Sequence, residues 1–304
     1  MENKSRFRLG EIQGKRLARK IVTLPTLPTV AAKMMQIIDH PETSARDLSA
    51  VIRSDHVIAS RLLKLANSAY YGLRRQVANL DMAVVLLGFE NIRNLTLSLS
   101  VIESFSRNWR GHFDYSEFWE HAYACGVAAQ MFVSEIQPGK AADAFAAGLI
   151  HDIGKLILSQ FAPDHFDAVI EHIEQHPSCD FDRAEREVLG ISHAQLGAWL
   201  AEKWNFPASL AQAIALHHTP EEGRDAALLP WAVHTADYLV HQLGIGFDAG
   251  VAMPTLNQNV AEMLCLPLTD SGMPDFEPFA GRLFQLLAQA DSFFHFLHKE
   301  EIQC

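Results

Sequence analysis

Several features that would place the chain in a specialised class are scarce in its sequence. Gly and Pro contribute only 17 and 13 of the 304 residues, too few for a collagen-like or low-complexity chain. The cysteines Cys125, Cys179, Cys265 and Cys304 stand far apart and form no CxxC pair, which argues against a dense disulfide framework. Apolar residues make up 49% and charged residues 20%, which is the balance of an ordinary globular protein.

Long apolar runs are missing as well. The densest apolar stretch is MAVVLLGF at 82–89, much shorter than the roughly 18 to 20 residues that cross a bilayer. The N-terminal sequence MENKSRFRLGEIQGKR carries charge where a secretory signal needs apolar residues. These absences predict a soluble cytoplasmic protein without a membrane span.

The net charge of −11 is unevenly distributed. Residues 1–108 hold 16 Lys and Arg against 9 Asp and Glu, which leaves 9 against 27 for residues 109–304. The asymmetry is incidental, or it reflects two subdomains that attract one another, or the basic part, with its tail up to Leu24, meets an acidic partner. The acidic larger part, which lacks interleaved aromatic and basic residues, argues against nucleic acid as a partner.

Apolar residues recur at helical spacing, and strand-like alternation is nearly absent. Val30 and Met34 begin one such stripe. Ser44 followed by Asp47 resembles a helix-capping pair, and Asp55 is placed to cap the next helix. The sequence therefore predicts an all-α fold. Further helices are expected near 79–104, 116–134, 141–160, 163–176, 191–204, 207–218, 229–243 and 280–298.

The apolar periodicity is interrupted around 106–114, where the charge balance also changes sign. We expect a basic tail over 1–23, an N-terminal helical part over 24–108, a helical bundle over 109–243 and a C-terminal helical extension over 244–304.

Polar residues interrupt the apolar face of one predicted helix, in the sequence AFAAGLIHDIGKLIL. Asp152 lies on the apolar side of that helix, with His151 beside it and Lys155 one turn further on. A buried carboxylate without a partner costs on the order of several kcal/mol. This motif alone has two explanations. The polar residues form either an Asp–Lys ion pair with a hydrogen-bonded histidine, or a site that binds a ligand.

Other predicted helices place further ligand-type side chains on apolar faces. These residues are His121, His193, His217, His218 and Asp237. A single inward histidine is usually a core residue, but five histidines and two aspartates on five helices are hard to explain independently. A bound cation would stabilise the carboxylates and accept neutral imidazoles. The N and O donors favour Fe, Mn, Zn, Ni or Co, and seven candidates suffice for two ions bridged by Asp152.

The order of these motifs resembles the HD superfamily of metal-dependent phosphohydrolases, with His121, His151–Asp152 and Asp237 at the metal positions. The added His193 and His217–His218 are similar to the extended ligand set of the HD-GYP branch, which consists of cyclic-dinucleotide phosphodiesterases. The sequence departs from that branch after the paired histidines, where HHTPEEGRDAALLP replaces the Gly-Tyr-Pro loop. This departure argues against cyclic-dinucleotide hydrolysis.

The resemblance to the HDOD domain covers more of the chain, roughly Leu24 to Gln242. The segments that carry it are LPTLPTVAAKMMQII, SDHVIASRLLKLANSAYYG, AVVLLGFENIRNLTLSLSV, GLIHDIGKL, EREVLGISHAQLGAWLAEKWNFP, AIALHHTP and HTADYL. The resemblance implies an HD-like helical bundle with an N-terminal helical subdomain, in a bacterial signalling or regulatory protein. Many HDOD proteins have lost metal ligands, whereas this sequence retains every position of the extended set.

Two functions follow as expectations. The resemblance implies a regulatory module that binds a signalling partner or a small phosphorylated ligand, with the metal site fixing the bundle or sensing the ligand. The alternative is a metal-dependent phosphohydrolase or phosphodiesterase acting on a nucleotide or another phosphoester. In that enzyme Lys155 would contact a phosphoryl oxygen, and a protonated His234 would serve the leaving group. A purely structural adaptor remains a third explanation.

Overall fold

The computed structural model describes residues 26–38, 40, 42–67, 76–105, 114–223, 227–246 and 252–288. Within these ranges the chain forms helices and no strand, which confirms the predicted all-α fold. None of the helices in the described ranges combines the length and apolar character that a membrane span requires. The predicted tail, most of the predicted boundary at 106–114, and the end of the last predicted helix lie outside the described residues.

Two helices of the N-terminal part begin at the predicted caps. Its described helices are α1 (Thr29–Ile37), α2 (Ala45–Arg53), α3 (His56–Ala66), α4 (Leu80–Leu87) and α5 (Phe89–Phe105). At α2 the Ser44 hydroxyl accepts from the Asp47 backbone N–H at 3.3 Å, and the Asp47 carboxylate accepts from the Ser44 backbone N–H at 2.9 Å. At α3 the Asp55 carboxylate accepts from the backbone N–H groups of Val57 and Ile58. These bonds satisfy N–H groups that have no partner inside the helix.

The prediction of one helix over 79–104 was wrong, because the chain turns at Gly88 between α4 and α5. Gly88 has a φ of 84°, in the left-handed region that side chains other than glycine rarely adopt. The apolar periodicity continues across this glycine although the helix does not.

The rest of the described chain contributes the helices around the predicted ligands. They are α6 (Tyr115–Ile136), α7 (Ala141–Ile150), α8 (Ile153–Phe161), α9 (Pro163–Gln175), α10 (Phe181–Val188), α11 (His193–Lys203), α12 (Ala208–Leu216), α13 (Leu228–Gln242), α14 (Val260–Met263) and α15 (Glu277–Ala288). Short 3-10 turns occupy Pro138–Lys140 and Pro220–Glu222. Of these helices, α10 and α14 were not predicted from the sequence.

One contiguous hydrophobic core connects helices of both parts. Helix α6 packs against α7 and α13. The contact with α7 is very close, because a Cβ atom at Gly148 would lie only 2.7 Å from the Cys125 backbone oxygen. Since α6 carries His121, and α7 leads directly into His151, this packing brings two predicted ligands to the same level of the bundle.

We expect the Asp55→Ala substitution to lower the free energy of unfolding by about 0.5 to 2 kcal/mol, because it removes both capping bonds of α3. Urea denaturation measures the change. Glu202→Ala on the exposed side of α11 is the control and should change stability by less than about 0.5 kcal/mol. Equal effects of the two substitutions would contradict the capping role of Asp55.

Candidate metal centre

The structure brings all seven predicted ligands into one region of the bundle, which we call the central cluster. Its members are His121 on α6, His151 and Asp152 between α7 and α8, His193 on α11, His217 and His218 after α12, and Asp237 on α13. All are buried except His218, which is half-buried. The residues therefore converge from five places along the chain, as the sequence predicted.

A break in the helix places His151 and Asp152 at the centre of the cluster. The sequence predicted a continuous helix over 141–160, and this prediction was wrong: α7 ends at Ile150 and α8 begins at Ile153. The Gly148 carbonyl accepts a hydrogen bond from His151 Nδ1 at 2.7 Å, so the imidazole takes up a carbonyl that a continuing helix would use. The backbone of Asp152 is not helical, with φ −93° and ψ 12°.

His121, His151 and Asp237 form one side of the central cluster. His121 Nε2 lies 3.1 Å and His151 Nε2 lies 3.7 Å from Asp237 Oδ1. The Cys125 sulfur lies 3.4 Å from His121 Nε2, one helical turn along α6. The ligand atoms of these four residues are all within 4.8 Å of one another.

Three histidines form the other side. His193 Nε2 lies 3.2 Å from His217 Nε2 and 3.0 Å from His218 Nε2. The sequence predicted that α12 would reach both paired histidines, but it ends at Leu216, and they lie in the turn that follows. This turn lets two consecutive residues face the same partner, which a continuous helix would not allow.

Asp152 connects the two sides. Its Oδ1 lies 3.1 Å from His193 Nε2 and 3.7 Å from His217 Nε2, and its Oδ2 lies 3.4 Å from His151 Nε2. The ligand atoms of His151, Asp152 and His217 also form a group within 4.8 Å. Asp152 therefore lies between the two sides of the central cluster.

The buried charges of the cluster compensate one another. Burial on its own would raise the pKa of Asp152, but His151, Lys155 and His193 hold that pKa well below its usual value. Burial lowers the pKa of His121 to about 4 and that of His217 to about 3. These two imidazoles are therefore neutral near pH 7, which is the state that binds a metal ion.

Lys155 and His234, for which the sequence suggested catalytic roles, are both engaged by neighbouring groups. Lys155 Nζ donates to Asp152 Oδ2 at 2.6 Å and lies 4.9 Å from the centre of the Phe181 ring. His234 Nδ1 donates to the His217 carbonyl at 2.7 Å, and its Nε2 accepts from the Asn257 backbone N–H at 2.9 Å. In the neutral form of His234, Nδ1 is a donor and Nε2 is an acceptor, and both form hydrogen bonds to the backbone. This geometry does not support the predicted role of His234 as a protonated general acid.

Two residues that support the cluster were missed by the sequence reasoning. Glu185 Oε2 accepts from both the backbone N–H and the Nδ1–H of His193, at 2.7 Å and 2.6 Å. His241 Nδ1 lies 3.0 Å from Asp237 Oδ1. The spacing of four residues from Asp237 was a usable signal for His241, whereas Glu185 lies on α10, a helix that was not predicted.

Comparison with known proteins identifies the fold. The model of the HDOD domain family matches residues 24–220. An uncharacterized protein of Treponema pallidum (strain Nichols) is 26% identical over 215 residues, which cover 68% of this chain and 40% of that protein. The chain thus spans only 40% of the length of this curated relative.

Solved structures share this architecture. A provisionally named phosphohydrolase from Shewanella amazonensis superposes with a TM-score of 0.70 at 23% identity, covering 92% of this chain and 97% of that chain. A provisionally named signal transduction protein from Marinobacter aquaeolei also gives 0.70 at 23% identity, covering 96% of this chain and 66% of that chain. An HDOD domain protein of unknown function from Geobacter sulfurreducens superposes with a TM-score of 0.68 at 22% identity, covering 94% of this chain and 96% of that chain. At these identities the likeness shows the fold alone.

We expect Gly154→Ala to lower the free energy of unfolding by about 1 to 3 kcal/mol, because a Cβ atom there would overlap the backbone of His193 and push α11 away from α8. Gly139→Ala is the matched control, since a Cβ atom at Gly139 has no atom within 4 Å. Chemical denaturation of both variants measures the difference. If the two substitutions change stability equally, the close packing of α8 against His193 is refuted.

Proposed function

The chain belongs to the HDOD domain family, and from this premise we propose that it is a signalling or regulatory protein whose central cluster binds divalent transition metal ions. The name of the Marinobacter neighbour, a signal transduction protein, agrees with this assignment. The signalling role itself rests on the family, and the metal rests on the geometry of the side chains.

The observation that carries the metal assignment is the direction in which the imidazole Nε2 atoms point. His151 and His217 each donate from Nδ1 to a backbone carbonyl, at 2.7 Å and 2.8 Å. A carbonyl only accepts, so Nδ1 of each ring is protonated, and Nε2 is the ring nitrogen left to face a ligand. Both Nε2 atoms lie near the Asp152 carboxylate, at 3.4 Å from Oδ2 for His151 and 3.7 Å from Oδ1 for His217. A cation between the carboxylate and these two nitrogen atoms would attract all of them.

The donor set fits a transition metal. His151 Nε2 is buried and makes no hydrogen bond to any described protein atom, as expected of a nitrogen reserved for a ligand. Glu185 orients His193 in the way that carboxylates orient metal-bound imidazoles. The N and O donors suit Fe, Mn, Zn, Ni or Co. One ion would use His121, His151, Asp152 and Asp237, and a second would use Asp152, His193, His217 and His218.

The surroundings of the cluster favour binding over catalysis. Lys155 forms an ion pair with Asp152, and both ring nitrogens of His234 form hydrogen bonds to backbone groups. These contacts make the two residues positioning groups, Lys155 for Asp152 and His234 for the turn that carries His217. His218, the least buried of the predicted ligands, marks the side from which a small phosphorylated ligand or a signalling partner would approach.

We expect protein purified without added metal to contain a transition metal, and we expect Asp152→Asn to lose it, because the substitution removes the charge shared by both proposed ion sites. Elemental analysis of the purified protein measures the content per chain. His165→Ala on the exposed side of α9 removes an imidazole elsewhere and should keep the metal. Thermal unfolding verifies that the variants are folded. A folded wild-type protein without metal would contradict the assignment.

The location of Asp152 between the two sides of the central cluster supports a second candidate, a metal-dependent phosphohydrolase. Two ions about 3.5 to 4 Å apart activate water and neutralise the charge on a phosphoryl group. The chain's own residues would hold Asp152 through Lys155 and keep His193 oriented through Glu185. The name of the Shewanella neighbour, a provisionally assigned phosphohydrolase, points to the same chemistry.

Turnover of bis-p-nitrophenyl phosphate by the metal-loaded protein separates the two candidates. A phosphohydrolase should hydrolyse this diester, and Asp152→Asn should fall to the uncatalysed rate while His165→Ala keeps the wild-type rate. The regulatory assignment predicts retained metal without turnover of this diester or of nucleotides. Turnover that survives in Asp152→Asn would contradict a catalytic role of the central cluster.

A further inference from the structure

A second group of ligand-type side chains lies where α9, the following loop and α10 meet. His172 is on α9, Cys179 is in the loop, and Glu187 is on α10; their ligand atoms all lie within 4.8 Å of one another. We propose that these three residues form a peripheral metal site that binds a divalent cation of borderline softness such as Zn²⁺. The site shares no ligand with the central cluster, and the proposal does not rest on the function proposed for that cluster.

Neighbouring groups hold the side chains of this peripheral site in place. His172 Nε2 lies 3.1 Å from Glu187 Oε2. Arg183 Nε donates to the other carboxylate oxygen, Glu187 Oε1, at 2.9 Å. The ring of His176 stacks on the ring of His172 with 4.3 Å between their centres, and His176 Nδ1 donates to the His172 carbonyl at 2.9 Å. The imidazole and one carboxylate oxygen are therefore presented together.

The different burial of the three side chains suits a cation that enters from solvent. The side chains of His172 and Glu187 are 22% and 44% exposed, whereas Cys179 is only 4% exposed. The thiol thus forms the floor of the site, and the imidazole and carboxylate form its open side. Water can complete the coordination on that side.

The ligand types select the class of metal. A thiolate with an imidazole and a carboxylate suits Zn²⁺ or Co²⁺, whereas Mg²⁺ and Ca²⁺ prefer oxygen alone. Ligand atoms of a tetrahedral ion, with bonds of about 2.0 to 2.3 Å, lie about 3.3 to 3.8 Å apart. The separation of 3.1 Å between His172 Nε2 and Glu187 Oε2 is close to this range. This pair therefore needs only small movements to coordinate an ion, and the Cys179 sulfur lies within 4.8 Å of a ligand atom of each residue.

A cation at this site would cross-link α9 to α10, and α10 is the helix that supports the central cluster. Glu185 of α10 accepts both hydrogen bonds from His193, and the Phe181 ring lies 4.9 Å from Lys155 Nζ. Glu187 lies two residues beyond Glu185 on the same helix. Metal at the peripheral site would thus fix the helix that orients His193.

Cobalt titration of the 304-residue chain tests the peripheral site. Co²⁺ bound to a thiolate gives a charge-transfer band in the near ultraviolet. We expect this band in the wild-type protein, its loss in Cys179→Ser and in His172→Ala, and its displacement by Zn²⁺. Cys125→Ser, which changes the cysteine beside the central cluster, and Cys265→Ser, which changes an exposed cysteine, should keep the band.

Other outcomes would overturn the proposal. Cobalt uptake by the wild-type protein without a thiolate band would contradict the site. A thiolate band that persists in Cys179→Ser would contradict it as well. A band lost in Cys125→Ser but kept in His172→Ala would assign the thiolate to the central cluster instead. Because His172 is partly exposed, its alanine variant keeps the core intact and tests the site even if Cys179→Ser folds poorly.

Discussion

The buried carboxylate of Asp152 lies among one ammonium group and three imidazoles, and the arrangement of the surrounding helices depends on it. Its oxygens lie 2.6 Å from Lys155 Nζ and 3.1 Å from His193 Nε2, with His151 and His217 at 3.4 Å and 3.7 Å. Charge removed from water in this way is costly unless it is paired and hydrogen-bonded. The break between α7 and α8 allows this pairing, because it turns two adjacent residues toward partners on α11 and after α12.

Around this carboxylate, three imidazoles are each held through Nδ1 by a neighbouring acceptor. Backbone carbonyls accept from His151 and His217, and Glu185 accepts from His193. Such supports fix which ring nitrogen carries the proton, and so they fix which nitrogen is free for a ligand. The same feature would serve a regulatory metal site or a hydrolytic one. The two proposed functions therefore differ in turnover and not in the residues that would bind metal.

The sequence predicted the residues of the cluster better than the path of the backbone around them. Helical periodicity identifies the face of a residue, so His121, His193 and Asp237 could be placed correctly. Periodicity does not reveal where a side chain competes with the backbone, and for this reason it missed the break at Asp152. Similarly, apolar spacing continues through Gly88, although the φ of that glycine ends the helix.

Partners that are close in space but not periodic in sequence could not be found in this way. Glu185 lies on a short, strongly charged helix that has no long apolar stripe to reveal it. The contacts of His234 with a carbonyl and with a distant backbone N–H depend on the turn after α12 and on residue 257, neither of which the sequence pattern specifies. Sequence reasoning therefore assigned His234 a proton that its surroundings do not favour.

The most direct test of the central claim is a crystal structure of the 304-residue chain, with anomalous diffraction data collected on both sides of the absorption edge of the metal found in it. The account predicts anomalous peaks between Asp152 and the Nε2 atoms of His151, His193 and His217, within about 2.0 to 2.3 Å of those atoms. A map without a peak there, in which these imidazoles bond only to protein or water, would contradict it.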